Sequence, residues 1–322
     1  MLPYVHVADL ELLGIHLHPF GLLVVTAIWV GTALARWQAR RRGVDLAELE
    51  SFIRWMLLFG FVSAHVLDMI LYRPREVLAR PWALLMIWEG IGSFSGFIGA
   101  LVGVVLWRRF TWRTVRSFGP WRLGPITLGP FTLSTLARRP AVLPILPFAD
   151  LILSVFPVAW IFGRAGCSIA HDHPGAQAEG GALLAVAFPS SNPAAIDGPG
   201  AHGTLGPITI IHGHHPRYDL GTLELFVTIA IALVCVALWR RRTIPGLYVV
   251  LVSLAYAPAR FALDFLRIRG AHGDARYVGL TPAQWLCIAL FFVALGVLRH
   301  VVVLRRSSAK TMCVAVGPHD AS

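Results

Sequence analysis

Residues 222–239 read TLELFVTIAIALVCVALW, and three arginines follow at once as Arg240, Arg241 and Arg242. A helix needs about 20 predominantly apolar residues to cross a bilayer core of about 30 Å. This run meets that need and ends on cations that stay in water. Runs of the same kind recur at 14–35, 53–72, 83–107, 146–165, 244–263 and 281–304. Gly, Pro and isolated polar residues inside some of them are tolerated where helices pack against neighbours. The fold class is therefore all-α, a polytopic membrane protein with about seven transmembrane helices. Composition agrees: of 322 residues 56% are hydrophobic and 14% charged, with a mean hydropathy of +0.67. A soluble domain carries about a quarter charged residues.

The net charge of +11 raises the question of nucleic acid, but the arginines fall between apolar runs. Topology and anionic lipid headgroups account for them, and no nucleic-acid partner is expected. Nineteen of the 28 Lys and Arg residues fall on one set of alternate connections: Arg36–Arg54, Arg108–Arg139, Arg240–Arg242 and Arg299–Lys310. Seven, including Arg73, Arg217 and Arg267, fall on the other. This bias predicts an N-terminus outside and a cytoplasmic C-terminus. Residues 1–307 read as one transmembrane bundle and 308–322 as a cytoplasmic, disordered tail. The stretch 174–220 is rich in Gly, Ala, Pro and His and reads as a long irregular extracytoplasmic loop or cap. The stretch 114–145 reads as an ordered or interfacial connection. The first arginine is Arg36, so the first apolar run reads as a retained helix rather than a cleaved signal. No internal repeat is visible, and the four cysteines have no CxxC spacing.

Ionisable residues in membrane helices are costly and mark function. Here they cluster at the predicted outer ends: His16 and His18, His65 and Asp68, Glu89, Arg164, and the Arg260/Asp264 pair one turn apart. Arg164 leads directly into Cys167, His171, Asp172, His173 and Gly175. Two arginines at one depth, flanked by His and carboxylates, suit a phosphate headgroup held bidentately. Glu89 opens the Gly/Ser-rich run 89–99; this is either small-residue helix packing or a loosened segment whose Ser93 or Ser95 contacts a ligand.

Five landmarks, in order, resemble the bacterial prolipoprotein diacylglyceryl transferases over residues 14–300. They are His18-Pro19-Phe20-Gly21-Leu22, Ile87-Trp88-Glu89-Gly90, the segment from Asp150 through Pro157 to Gly163-Arg164-Ala165-Gly166 with Gly175 closing it, Arg260-Phe261-Ala262-Leu263-Asp264-Phe265-Leu266-Arg267, and Gly279-Leu280-Thr281-Pro282-Ala283-Gln284. The resemblance implies transfer of a diacylglyceryl group from phosphatidylglycerol to the cysteine thiol of a prolipoprotein signal peptide. The reaction is expected at the outer face of the bacterial inner membrane, with no cofactor and no metal. It implies that Arg164 binds the phosphate, that Arg260 stabilises it as charge develops, and that Asp264 holds Arg260. Glu89, Ser95, Cys167, Asp172 and Gly175 fall in the implied substrate-binding region.

The chain departs from the family pattern where a histidine is expected at Ser95, a tyrosine at Phe20, an asparagine at Cys167 and a glutamate at Asp264. Serine is no general base at neutral pH. His171 and His173 are the nearest candidate proton acceptors in sequence, with Asp172 to orient one of them. Two other readings stay open. One is a non-catalytic lipid- or lipoprotein-binding paralogue. The other is a metal-linked membrane protein using His171, Asp172 and His173 with His202, His212, His214 and His215.

Overall fold

The structure is a computed structural model that describes residues 1–12, 15–86, 92–119, 121–123, 126–128, 131–179, 182–189, 204–205, 208–211, 213–241, 244–268 and 276–315. In chain order it begins with strands β1 (Leu2–Val7), β2 (Leu10–Leu12) and β3 (Ile15–Leu17), then helices α1 (Pro19–Arg42), α2 (Leu46–Tyr72), α3 (Pro74–Ala79) and α4 (Ser93–Trp107). Strands β4 (Phe110–Phe118), β5 (Trp121–Leu123), β6 (Ile126–Leu128) and β7 (Phe131–Arg138) lead to α5 (Leu146–Ala170). Strands β8 (Pro174–Gln177), β9 (Ala185–Phe188), β10 (Thr204–Leu205), β11 (Ile208–Ile211) and β12 (His215–Asp219) precede α6 (Leu220–Leu238), α7 (Leu247–Leu263) and α8 (Pro282–Ala315).

Six helical stretches among the described residues are long and apolar enough to cross a membrane: α1, α2, α5, α6, Leu247–Leu266 and Pro282–Val303. The third predicted span, 83–107, is divided. A 3-10 turn covers Pro81–Leu85, residues 87–91 lie outside the described set, and α4 supplies a shorter apolar helix. The chain is thus a helical, multi-pass membrane protein.

Two compact units partition it. One comprises Met1–Arg42 with Ala149–Ser322, the other Gly43–Phe148. In the first unit α5, α6, α7 and α8 follow one another, and Asp150 at the start of α5 accepts from Tyr248 N (2.8 Å) with Arg42 at 3.5 Å. The stretch 174–220 is more regular than its composition suggests. Its strands join β1 in a six-stranded sheet ordered β10-β11-β1-β9-β12-β8. Only the β1·β9 pairing is parallel. The N-terminal strand therefore lies in the middle of the cap, and Tyr4, Val186, Phe188 and Ile211 form its small core. The second unit is a helical pair, α2 against α4, whose small residues supply the contact, extended by the β4·β7 hairpin.

Candidate active site

The first unit gathers most of the sequence-nominated residues around one carboxylate that sequence reasoning passed over, Glu224 of α6. Gly221 brings α6 against α5: a methyl there would stand 2.9 Å from the Cys167 backbone. Asp219 caps α6 by accepting from Thr222 N (3.1 Å), and Ser168 and Thr222 join hydroxyls at 2.6 Å. Glu224 is thereby held beside Arg164, whose Nη2 lies 2.8 Å from Oε2. Arg260 Nη1 pairs with Oε1 of the same carboxylate, and the Tyr256 hydroxyl donates to Oε2 at 3.3 Å. Both arginines and Glu224 are buried.

The network continues outward. Asp264 receives Arg260 Nη2 at 3.1 Å and Arg267 Nε at 2.8 Å through Oδ1, while the Thr281 hydroxyl donates to Oδ2. Thr281 is fixed in turn by a reciprocal cap at the start of α8: its N–H donates to Gln284 Oε1 (3.0 Å), and Gln284 N–H donates to its Oγ1 (3.2 Å). Three guanidinium groups thus share two carboxylates. Beyond Arg267 lies an open recess of about 480 Å³ lined by Ala176, Gln177, Arg217, Phe265, Arg267 and Ile268. Gly175 lets the backbones of this wall approach closely, since a methyl on it would stand 2.7 Å from the Tyr218 carbonyl and 2.9 Å from that of Leu266.

His171 and His173 have different surroundings. His171 pairs with Asp219 through Nδ1, reaches the Val5 carbonyl through Nε2 at 3.1 Å, and stacks on Tyr4 at 3.9 Å. Both ring nitrogens are taken up by protein partners, so neither faces an incoming thiol. The ring ties α5 to the cap. His173 faces the cluster, 3.7 Å from Asp172 Oδ1. Desolvation and the fields of Arg267, Arg164 and Arg260 hold its imidazole well below the ordinary range, so it is neutral at pH 7. Desolvation raises Asp172 to about 6, against the pull of Arg164 and with the push of Asp219, although 41% of its side chain is exposed. Cys167, Asp172 and His173 offer ligand atoms within 4.8 Å of one another, the set among the described residues with metal-ligand potential. Arg164 Nη1, 3.9 Å from the Cys167 sulfur, opposes a cation there. Of the other histidines in the metal-linked reading, His202 and His212 lie outside the described residues.

Ser95 belongs to the second unit. It is buried in α4, and its hydroxyl has no partner among the described residues. His65 in the same unit bonds the Ala83 carbonyl at 3.0 Å, and Asp68 pairs with Arg73 at 3.6 Å. Glu89 lies outside the described residues. His18 stands exposed beside Asp9 at 3.7 Å.

The described residues thus present a multi-pass helical membrane protein whose buried arginines converge on shared carboxylates near an open recess. Comparison with known proteins is more specific. The family model for prolipoprotein diacylglyceryl transferase matches residues 8–122 and 123–300, and the chain belongs to that family. It is 23% identical over 301 residues to the phosphatidylglycerol–prolipoprotein diacylglyceryl transferase of Helicobacter pylori (strain Shi470), covering 89% of each chain. It is 25% identical over 308 residues to the protein of that name from Gluconacetobacter diazotrophicus, covering 92% of each. To the Staphylococcus carnosus (strain TM300) protein of that name it is 32% identical over 110 residues, 34% of this chain and 40% of that one.

Proposed function

We propose that this chain transfers the diacylglyceryl group of phosphatidylglycerol to the cysteine thiol of a prolipoprotein, at the outer face of a bacterial inner membrane. The observation that carries this reading is the convergence of Arg164 and Arg260 on Glu224, with Arg267 on the adjoining Asp264, which gathers three guanidinium groups of the kind that hold a lipid phosphate. The thiol sulfur attacks the glycerol carbon that bears the phosphate ester. A carbon–sulfur bond forms, the carbon–oxygen bond breaks, and glycerol phosphate departs with the electron pair. Arg164 binds the phosphate and Arg260 meets its growing charge, held by Glu224 and Asp264. His173, neutral and facing the cluster, takes the thiol proton. No step calls for a metal or cofactor.

The test is complementation of a strain depleted of its own diacylglyceryl transferase, read by mass analysis of the lipoprotein. Wild type restores the diacylglyceryl mass, whereas Arg164→Ala and His173→Ala do not. One observation favours a second reading, a lipid- or lipoprotein-binding protein without turnover. Ser95 supplies a buried hydroxyl where the family resemblance calls for an imidazole. Wild type that binds phosphatidylglycerol yet lipidates no signal peptide, with transfer appearing only in Ser95→His, would establish that reading instead.

A further inference from the structure

The hairpin of β4 and β7 carries chemistry that the transfer reaction does not use. Its root is fixed. Arg139 donates to the Trp107 and Phe110 carbonyls (3.0 and 3.1 Å) and pairs with Glu48 at 2.9 Å, while Trp112 stacks on Trp55 of α2 at 5.3 Å. Beyond that root neither strand is covered by the described residues: Val115 is 61%, Leu133 52% and Leu136 54% exposed. A two-stranded ribbon left bare in water is marginally stable at best.

Register identifies the open face. Trp112 opposes Leu136 on the side that meets Trp55. Arg113 opposes Thr135, and the pairing then shifts between Thr114 and Arg116. In an unbroken strand Arg113 and Arg116 would point to opposite faces, since side chains alternate. The irregularity returns Arg116 to the face of Arg113, opposite Leu133, with Phe118 next along it. Arg116 itself lies 5.2 Å over the Phe118 ring. One face thus presents two arginines interleaved with apolar side chains. From Arg108 to Phe148 the chain holds seven arginines and no acidic residue.

Depth follows from α2. Its 27 residues make a helix of about 40 Å, some 10 Å longer than the hydrocarbon core. The surplus falls on its first turns, which carry Glu48, Glu50 and Arg54. Trp55 and Trp112 therefore mark the headgroup level, where tryptophan is favoured. The hairpin springs from that level on the arginine-rich side of the protein.

We propose that this hairpin lies on the bilayer surface and binds the phosphate headgroups of anionic phospholipids through Arg113 and Arg116, with Leu133 and Phe118 entering the acyl boundary. Charge complementarity selects this occupant: a face with cations, apolar side chains and no acids matches an anionic lipid surface, toward which arginine stems lie flat on hydrocarbon while their heads reach phosphate.

The test uses the full chain in nanodiscs, with a fluorophore on Thr135→Cys in a Cys313→Ser background and nitroxide on the lipid headgroup. Quenching is expected to be strong in discs containing anionic lipid and to fall toward the zwitterionic level at high salt. Arg113→Gln with Arg116→Gln should weaken surface association about thirtyfold, and the double Lys variant should restore most of it. Equal quenching in zwitterionic and anionic discs, or quenching indifferent to the Gln pair, overturns the proposal. Protection of the label by a single-stranded RNA oligonucleotide in place of anionic lipid would overturn it in favour of a nucleic-acid surface.

Discussion

The two units use the same side chain in opposite ways. In the first, Arg164 and Arg260 are buried and held by shared carboxylates, Glu224 between the two and Asp264 between Arg260 and Arg267. In the second, Arg113 and Arg116 stand on an exposed ribbon in a stretch without acids. Arginine held by carboxylates is preorganised, its geometry fixed before any ligand arrives. Arginine held by none is a solvated charge whose partner comes from outside. The first arrangement suits a reaction, the second an anchorage, and substitutions in each should differ in kind.

The largest effect belongs to Glu224. Glu224→Ala leaves two buried guanidinium groups without their shared anion and should cost about 3–5 kcal/mol, measured as thermal unfolding in detergent, with transfer abolished. Removing Arg113 and Arg116 together should move the same midpoint by no more than about 1 kcal/mol. Equal effects would erase the contrast between the units. Next come the two histidines. His173→Ala should lower transfer about 10²–10⁴-fold while unfolding like wild type. His171→Ala, by stranding Asp219 and the Val5 carbonyl, should destabilise by about 1–3 kcal/mol, with activity lost in proportion to folded protein. The reverse pattern would transfer the base assignment to His171.

A pH profile sharpens the same point. The acid limb of kcat/KM should lie well below the ordinary histidine range, because His173 stays neutral there, and Arg267→Gln should move the limb upward. A wild-type limb at the usual imidazole value would exclude His173 as the base. The smallest effect concerns Asp172. Its carboxyl is raised on folding, so the folded state binds the extra proton and gains stability at low pH, a gain lost as pH rises through about 6. Asp172→Asn should therefore stabilise slightly above pH 6 and leave acid stability nearly unchanged, as read from unfolding midpoints across that range.

Arg164, Arg260 and Asp264 were legible in the sequence because a charge in an apolar run stands out and a one-turn spacing pairs it. Glu224 carried the same signal, a carboxylate near the start of the run TLELFVTIAIALVCVALW, yet the run's length and the arginines behind it drew the reading toward a plain span. The loop or cap over 174–220 was read from composition, but its strands were not legible. Strands β8–β12 are short and broken by Gly, Pro and His, and their register depends on β1, which no local periodicity reveals. The role of His171 was hidden for the same reason, since its partners are Val5 and Asp219 rather than neighbours in sequence. The hairpin's composition was visible, but the shift that aligns Arg113 with Arg116 is a matter of pairing.

The central place of β1 sets a timetable for synthesis. Leu2 pairs with Val186 and Tyr4 with Ile211, so the strand waits for the ribosome to deliver its neighbours. At about 5–20 residues per second the interval is roughly ten to forty seconds, during which α1, α2 and α5 have time to enter the bilayer. Throughout it the β1 backbone is an unpaired ribbon, open to any extended chain that passes. The cap closes only when β12 leads into α6 and His171 finds both Val5 and Asp219. A half-made protein therefore has Arg164 of α5 made but no finished cap.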